Sequence, residues 1–473
     1  MTSWRKEESA STEETANAKV DSEPAAPLPS RNTADFYRTK PVMDRRIHIM
    51  GMGNVGSFVA HALRGIPNPP PVSLIFPRWE RLKEWNDSPQ KLTLITDGDV
   101  EAQEGYDAEL AVPRIRYHGK EVGLDASSTE TAGDVKVLEG ESTEPISSLI
   151  ICSKAPYVLQ GLSSVKHRLN KDSVVLFMQN GMGIVEEVNR EIFPDPATRP
   201  HYMLGINSHG MHASPDSNFT TVHAGFGTIS LGILPHERDR KPDSPYIPQP
   251  RFTAPKDSEP VYQSPPDELN PEYPPPSSAK FPWTPNQRHL LRTLLRAPVL
   301  SAASFSPPDL LQMQLDKLAV NCIINPLTVL IDARNGAILN NYALTRTMRL
   351  LLSEISLVIR SLPELQYIPN VQQRFDPGRL ETVVVSVANL TRDNVSSMLA
   401  DTRKGMQTEI DYINGWVVKR GEELGIRCAM NYMLVQLVKG KRMVVQHELE
   451  GDVPLVQPKR GRAEGGLTVR EGR

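Results

Sequence analysis

The chain has 473 residues, 39% of them hydrophobic and 23% charged, with a formal net charge of −3. That length holds two or three domains with sizeable cores, and so small a net charge exerts no general pull toward nucleic acid or acidic membranes. No stretch approaches the ~20 consecutive apolar residues of a membrane span, and the N-terminus lacks the apolar core of a secretory signal.

The three cysteines, Cys152, Cys322 and Cys428, lie in apolar segments without metal-ligand spacing and read as reduced core residues. Residues 1–43 are rich in Ser, Thr, Ala, Glu and Pro, too poor in apolar side chains to offset their ordering entropy, and are expected to be a disordered tail. Its acidic residues (Glu7, Glu8, Glu13, Glu14, Asp21, Glu23) argue against an Arg-rich, acid-poor transit peptide without excluding mitochondrial import. A cytoplasmic protein is expected.

From Arg45 the pattern becomes β-α-β. A strand at 46–50 runs into Gly51-Met52-Gly53-Asn54-Val55-Gly56, followed by a helix near 54–65. Gly51 permits the tight turn, Gly53 lets the backbone approach a pyrophosphate, and Gly56 lets the helix pack closely on the strand. The phosphates would rest on the free N–H groups at the helix start. Glycine clusters alone are often plain turns; here strand and helix stand on the correct sides of it. Further strands are expected at 72–76, 148–152 and 174–178, short apolar runs of the kind buried in parallel sheets. A helix is expected at 156–169, and a late strand pair within 202–213 and 219–234.

Residues 235–285 hold fifteen prolines and almost no periodic hydrophobicity. They read as a Pro-rich insertion or linker, 236–285, with docking to an SH3 or WW module the less favoured alternative. Beyond Trp283 the segments 286–296, 308–325, 341–361, 377–392 and 407–424 show helical spacing. The expected architecture is therefore α/β plus all-α: a Rossmann-type domain over 44–235, a helical domain over 286–446, and a flexible tail over 447–473.

Three places carry candidate chemistry. Arg78 follows the second strand, where an arginine can pair with the 2′-phosphate of NADP; the alternative is a surface arginine. Lys317, Asn321 and Asn325 recur at i, i+4 and i+8 as a polar ridge beside the apolar stripe Leu315, Leu318, Ala319, Cys322 and Ile323. Partial burial there would lower the lysine's pKa toward neutrality, as a general acid requires. Pro326 is expected to break the helix. Ser396-Ser397-Met398 and Glu409 form the last cluster, Glu409 being either a first-turn complement to the helix dipole or a buried partner for Lys317. His209 and His212 lack a carboxylate or cysteine set beside them, so no metal is expected, and His48 and His61 are taken as packing residues.

Five ordered segments together resemble the ketopantoate reductase (2-dehydropantoate 2-reductase) family. They are the 51–56 glycine motif, Ser153-Lys154-Ala155, Gln179-Asn180-Gly181-Met182-Gly183, Lys317 through Thr328, and Ser396 through Leu399 with Thr408 through Gly415. The resemblance covers about 45–235 and 286–440; the N-terminal tail and the proline-rich segment depart from it, and 79–147 aligns poorly. It implies NADPH-dependent reduction of ketopantoate to pantoate, with Lys317 donating the proton or holding the oxyanion and Glu409 orienting it or the nascent hydroxyl. It also implies Asn321, Asn325 and Ser397 on the substrate, Lys154 and Asn180 at the junction with the nicotinamide, and Asn335 as a further substrate contact. The partner implied is a small 2-oxo acid, with no nucleic acid or membrane, and a homodimer is allowed. Rival readings are a non-catalytic NADP-binding regulatory or interaction protein of the same fold and a reductase of another 2-oxo acid.

Overall fold

Two sheets and a set of packed helices make up the described part of the chain, which in this computed structural model comprises residues 45–111, 116–117, 120–121, 140–214, 217–236 and 283–451. The expected N-terminal tail, residues 237–282 of the proline-rich segment, and residues 452–473 lie outside it. In chain order the first elements are β1 (Ile47–Met50), α1 (Asn54–Arg64), β2 (Val72–Phe76), α2 (Trp79–Asp87), β3 (Leu92–Thr96), β4 (Asp99–Gln103) and β5 (Asp107–Leu110). Next come β6 (Ser148–Ile151), α3 (Val158–Val165), β7 (Val174–Phe177), α4 (Ile184–Glu191), β8 (His201–Asn207), β9 (Gly210–Ala213), β10 (Thr220–Gly225) and β11 (Ile229–Ile233). After residue 283 follow α5 (Pro285–Leu295) and β12 (Ala302–Ser304).

Six of these strands lie side by side and all parallel in the order β5-β2-β1-β6-β7-β8. β1, β2, β6 and β7 are buried along their whole length, as strands covered on both faces must be. Counted along the chain the order is third, second, first, fourth, fifth, sixth, the doubly wound arrangement that opens a crevice where the winding reverses, here between β1 and β6. β11 adds antiparallel to β8, and β12 adds to β11, completing eight strands.

A second sheet of four strands, β9-β10-β3-β4, lies over α1. That explains why eight consecutive α1 residues, Gly56 to Leu63, are buried on every side of the helix. The late strand pair is thus divided: β8 and β11 belong to the large sheet, β9 and β10 to the small one. His61 packs inside this layer, whereas His48 does more than pack: its Nε2 lies 3.3 Å from Glu109 Oε1, and Arg168 closes the same buried cluster at 2.6 Å.

The helical part comprises α6 (Pro307–Ile331), α7 (Tyr342–Arg360), α8 (Pro377–Leu390), α9 (Ser397–Thr402), α10 (Asn414–Glu423) and α11 (Ala429–Glu450). α6 is its central member, packed against α7, α8, α9 and α11, with Leu315, Leu318, Ala319, Cys322 and Ile323 all buried.

Four expectations change. α5 does not join the helices: Leu290, Leu291 and Leu294 pack into the core of the large sheet, and β12 extends that sheet, so the helical part starts after residue 304. Pro326 does not end α6, which continues to Ile331. A proline at 326 releases the carbonyl of Cys322 four residues earlier, and that oxygen accepts a hydrogen bond from Asn414 Nδ2 at 2.9 Å, which is braced in turn by Asn431 Oδ1 at 2.9 Å. The segment 407–424 is helical only from Asn414, with a single 3₁₀ turn at Ile410–Tyr412 before it. Finally, the last helix extends past 446 to Glu450.

Candidate active site

The large sheet fixes the first half of the site. At the switch point Gly51 has φ +94°, and a Cβ there would lie 2.2 Å from Ser153 N; a Cβ on Gly56 would lie 2.2 Å from Gly51 O. Both positions exclude every other residue, so the turn is locked against the strand end of β6. Over Gly53 the space is open, and α1 begins there with no side chain capping its first N–H groups. Met52, Asn54 and Val55 line the same turn, each half-buried. An open cradle with free N–H groups at the positive end of a buried helix fits a pyrophosphate.

Arg78 stands at the end of β2 as the exposed, extended residue before α2, and it makes no ion pair among the described residues. The loops after β6 and β7 are tied together by Gln179, whose Nε2 donates to Ile151 O and Ser153 O, both at 2.8 Å.

The helical part supplies the second half. The ammonium of Lys317, on α6, donates to the carbonyl of Asn207, the last residue of β8, at 2.6 Å. Burial lowers its pKa from the usual 10.5 to about 8, against the opposing pull of the Glu409 carboxylate. Glu409 is buried, and its two oxygens accept from Ala155 N at 3.2 Å and from Asn180 Nδ2 at 3.1 Å. Burial raises its pKa, although the Asn180 and Ala155 bonds and the Lys154 charge work the other way. Neither alternative expected for Glu409 holds fully. It precedes the 3₁₀ turn instead of standing in the first turn of α10, and its hydrogen bonds go to the sheet loops while its effect on Lys317 is exerted through space.

Lys154 pairs with Asp401 on α9, whose carboxyl is pushed up by burial and held back by that lysine. Asp401 went unnoticed in the sequence, although it stands one helical turn beyond Ser397, two residues past the segment singled out. The other two additions are Asn207, which acts through its main chain, and Tyr412. Tyr412 accepts at its carbonyl from Met182 N (2.8 Å) and donates from its hydroxyl to Glu187 (2.8 Å). Only tertiary structure reveals these roles.

Asn321 is half-buried and Asn325 buried, one and two turns beyond Lys317 on α6. One turn further, Thr328 Oγ1 meets Ser396 Oγ at 2.7 Å, which joins α6 to the N-cap of α9. Ser397 is exposed at the first position of α9, on the same face as Asp401. Asn335 is not brought to this cluster. It lies beyond the end of α6, on the order of 20 Å along the helix axis from Lys317, and its Nδ2 bonds Thr391 Oγ1 at 3.0 Å while its N–H bonds Asn394 O. It ties two helix ends together. His209 is buried 3.0 Å from His223, and no metal-holding group of His, Cys, Asp or Glu occurs among the described residues.

A doubly wound sheet with an open phosphate cradle, facing a lysine and a carboxylate delivered from a helical domain, defines an oxidoreductase that works with a nicotinamide cofactor. The chain belongs to the ketopantoate reductase family: the model "Ketopantoate reductase PanE/ApbA" matches residues 47–236, and its C-terminal counterpart matches 309–442. Among curated relatives, a probable 2-dehydropantoate 2-reductase of Schizosaccharomyces pombe is 26% identical over 404 residues, covering 84% of this chain and 97% of the relative. A ketoisovalerate reductase of Gibberella fujikuroi is 25% identical, covering 81% of this chain and 79% of its own. Among solved structures, a D-mandelate dehydrogenase with NADH and anilino(oxo)acetate superposes with a TM-score of 0.57 at 16% identity, covering 85% of this chain and 99% of that one, and shows the shared fold.

Proposed function

We propose that this protein reduces 2-dehydropantoate (ketopantoate) to (R)-pantoate with NADPH, a step toward pantothenate and coenzyme A. The observation that carries the reading is Lys317: a lysine on α6 held at the C-terminal edge of the dinucleotide-binding sheet, with its pKa lowered to about 8 by burial. NADPH would lie with its pyrophosphate on Gly51–Gly56, its 2′-phosphate at Arg78 and its nicotinamide end near Lys154 and Asn180, and when bound it supplies the hydride.

As the ketone carbon is reduced, negative charge gathers on its oxygen. Lys317 donates the proton there, or holds the oxyanion until it does so. With a pKa near 8 it stays largely charged at neutral pH, yet parts with a proton far more readily than an ordinary lysine. The Asn207 carbonyl fixes the direction in which the ammonium points. Glu409 supports the lysine's positive charge and, once freed from Ala155 N–H and Asn180, reaches the substrate hydroxyl. Asn321, Asn325 and Ser397 present amide and hydroxyl groups suited to the substrate carboxylate and hydroxyl. Membership of a family that also contains ketoisovalerate reductases favours one second reading, reduction of a methyl-branched 2-oxo acid on the same site.

The test is loss of NADPH absorbance by purified protein offered ketopantoate, 3-methyl-2-oxobutanoate and pyruvate in turn. Highest kcat/KM with ketopantoate is expected. Highest kcat/KM with 3-methyl-2-oxobutanoate selects the second reading, and no turnover of any of them with NADPH bound refutes both.

A further inference from the structure

The loop between β10 and β11 is fastened more firmly than its length requires. Thr228 N donates to Ser208 Oγ at 2.7 Å, and Ser208 N donates to Thr228 O at 2.9 Å. Gly227 N donates to Nδ1 of the buried His209 at 3.2 Å. His209 Nε2 lies 3.0 Å from the carbonyl of Leu300, which can only accept, so Nε2 carries the hydrogen and Nδ1 is the acceptor. The second donor to that Nδ1 is His223 Nε2 at 3.0 Å, and Phe58 of α1 covers both rings, with centroids 4.9 and 5.1 Å away. Two buried histidines thus anchor the loop.

At its tip this rigid loop holds an apolar ring in the open. Phe226 is 73% exposed, edge-on to His223 with ring centroids 4.8 Å apart. Its place is not an arbitrary piece of surface. Asn207 and Ile229 face each other across β8 and β11, and the Asn207 carbonyl is the acceptor for Lys317. Phe226 is three residues from Ile229, so its Cα lies within about 11 Å of that strand end even if fully extended. Gly227, the next residue, abuts the backbone of Ser208, where a Cβ would lie 2.5 Å from Ser208 O, so the loop tip stands against the residue that follows the Lys317 acceptor. The ring is held in the open by the loop's own hydrogen bonds, not by fraying of the chain.

We infer that Phe226 is a specificity-determining residue, closing over the branched alkyl group at C3 of the 2-oxo acid whose carbonyl faces Lys317. This rests on the reductase reading above and adds the residue that tells substrates apart. A methyl-branched chain gains by covering the ring and an unbranched chain gains little; ketopantoate, with two methyls and a hydroxymethyl at C3, falls between them when that hydroxymethyl, which keeps a need for water, shares the ring's face.

The test compares wild type, Phe226→Ala and Phe226→Leu on pyruvate, ketopantoate and 3-methyl-2-oxobutanoate at saturating NADPH, with NADPH affinity measured separately by fluorescence. Phe226→Ala is expected to lower kcat/KM for 3-methyl-2-oxobutanoate about tenfold more than for pyruvate, the discrimination a small apolar contact provides. The loss should fall mainly on KM, with ketopantoate intermediate, and Phe226→Leu should recover most of it. NADPH affinity should hold. An equal fall for all three acids would mean that the loop merely steadies Lys317, and unchanged selectivity would leave Phe226 an ordinary surface residue; either overturns the assignment while the reductase reading stands. A wild type that binds NADPH and reduces none of the three overturns the reductase reading itself, and the Phe226 role with it.

Discussion

Replacing Lys317 by Met should make the protein more stable and almost inactive. The fall in pKa from 10.5 to about 8 means that the folded state disfavours the charged ammonium by ~3 kcal/mol at most. The side chain is only half-buried, so solvent reduces this to ~1–2 kcal/mol. Methionine matches the lysine stem in length and carries no charge, and Asn207 is itself only half-buried. The direction with pH follows from proton counting. Below about pH 8 the lysine is protonated in both states and the full penalty applies. Between about 8 and 10.5 the unfolded chain binds the proton and the folded one does not, so the wild type gains stability as pH rises. Thermal melts should therefore show Lys317→Met above wild type by a few degrees at neutral pH, with the gap closing as pH rises through that window. In steady-state assays the same variant should lose ~10²–10⁴-fold in kcat while keeping NADPH affinity, and Lys317→Arg should not restore the rate, since guanidinium holds its proton. Wild-type kcat per folded Lys317→Met molecule, or a melt lowered by the same amount at every pH, would refute the reasoning.

Four further outcomes are expected. Arg78→Ala should weaken NADPH by ~1–3 kcal/mol and NADH hardly at all, measured by fluorescence titration; equal losses would remove Arg78 from the 2′-phosphate. Glu409→Gln should abolish the acidic limb of the kcat/KM–pH profile, which in the wild type should lie above the usual carboxylate range because burial raises that carboxyl. Combined with Lys317→Ala its effect should be less than additive if the two act together. Asn414→Ala strands the Cys322 carbonyl inside α6 and should cost ~1–3 kcal/mol in denaturant melts, with kcat per folded molecule intact. Replacing 240–280 by a short Gly/Ser linker should leave kcat and KM within about twofold, at modest closure entropy. The family models skip 237–308, and a deletion that fails to fold would show that the segment carries core.

What could be read from the sequence was local. The turn at Gly51, the four buried strands and the ridge Lys317-Asn321-Asn325 each declare themselves within a dozen residues, because strand, turn and helix periodicities are short-range. Asp401 was missed because the lysine it pairs with lies 247 positions away. The rule that proline ends a helix failed at Pro326 because Asn414, far along the chain, accepts the task of satisfying the freed carbonyl. β4 offered no signal either: four of its five residues are exposed, so the small sheet over α1 has an edge strand without an apolar pattern. α5 looked like any amphipathic helix, and periodicity cannot say which of two cores its leucines enter.

The layer that covers α1 has a kinetic consequence. A helix pressed between two sheets exchanges its amide hydrogens only through large-scale opening, so its middle turns should rank among the slowest in the chain with or without a bound nucleotide. Its first N–H groups, uncapped beside Gly53, should instead exchange quickly in the empty protein and slow sharply once phosphates cover them. Cofactor capture would then cost little ordering entropy at this end of the site, and the anchoring surface would be finished at folding, before any ligand arrives.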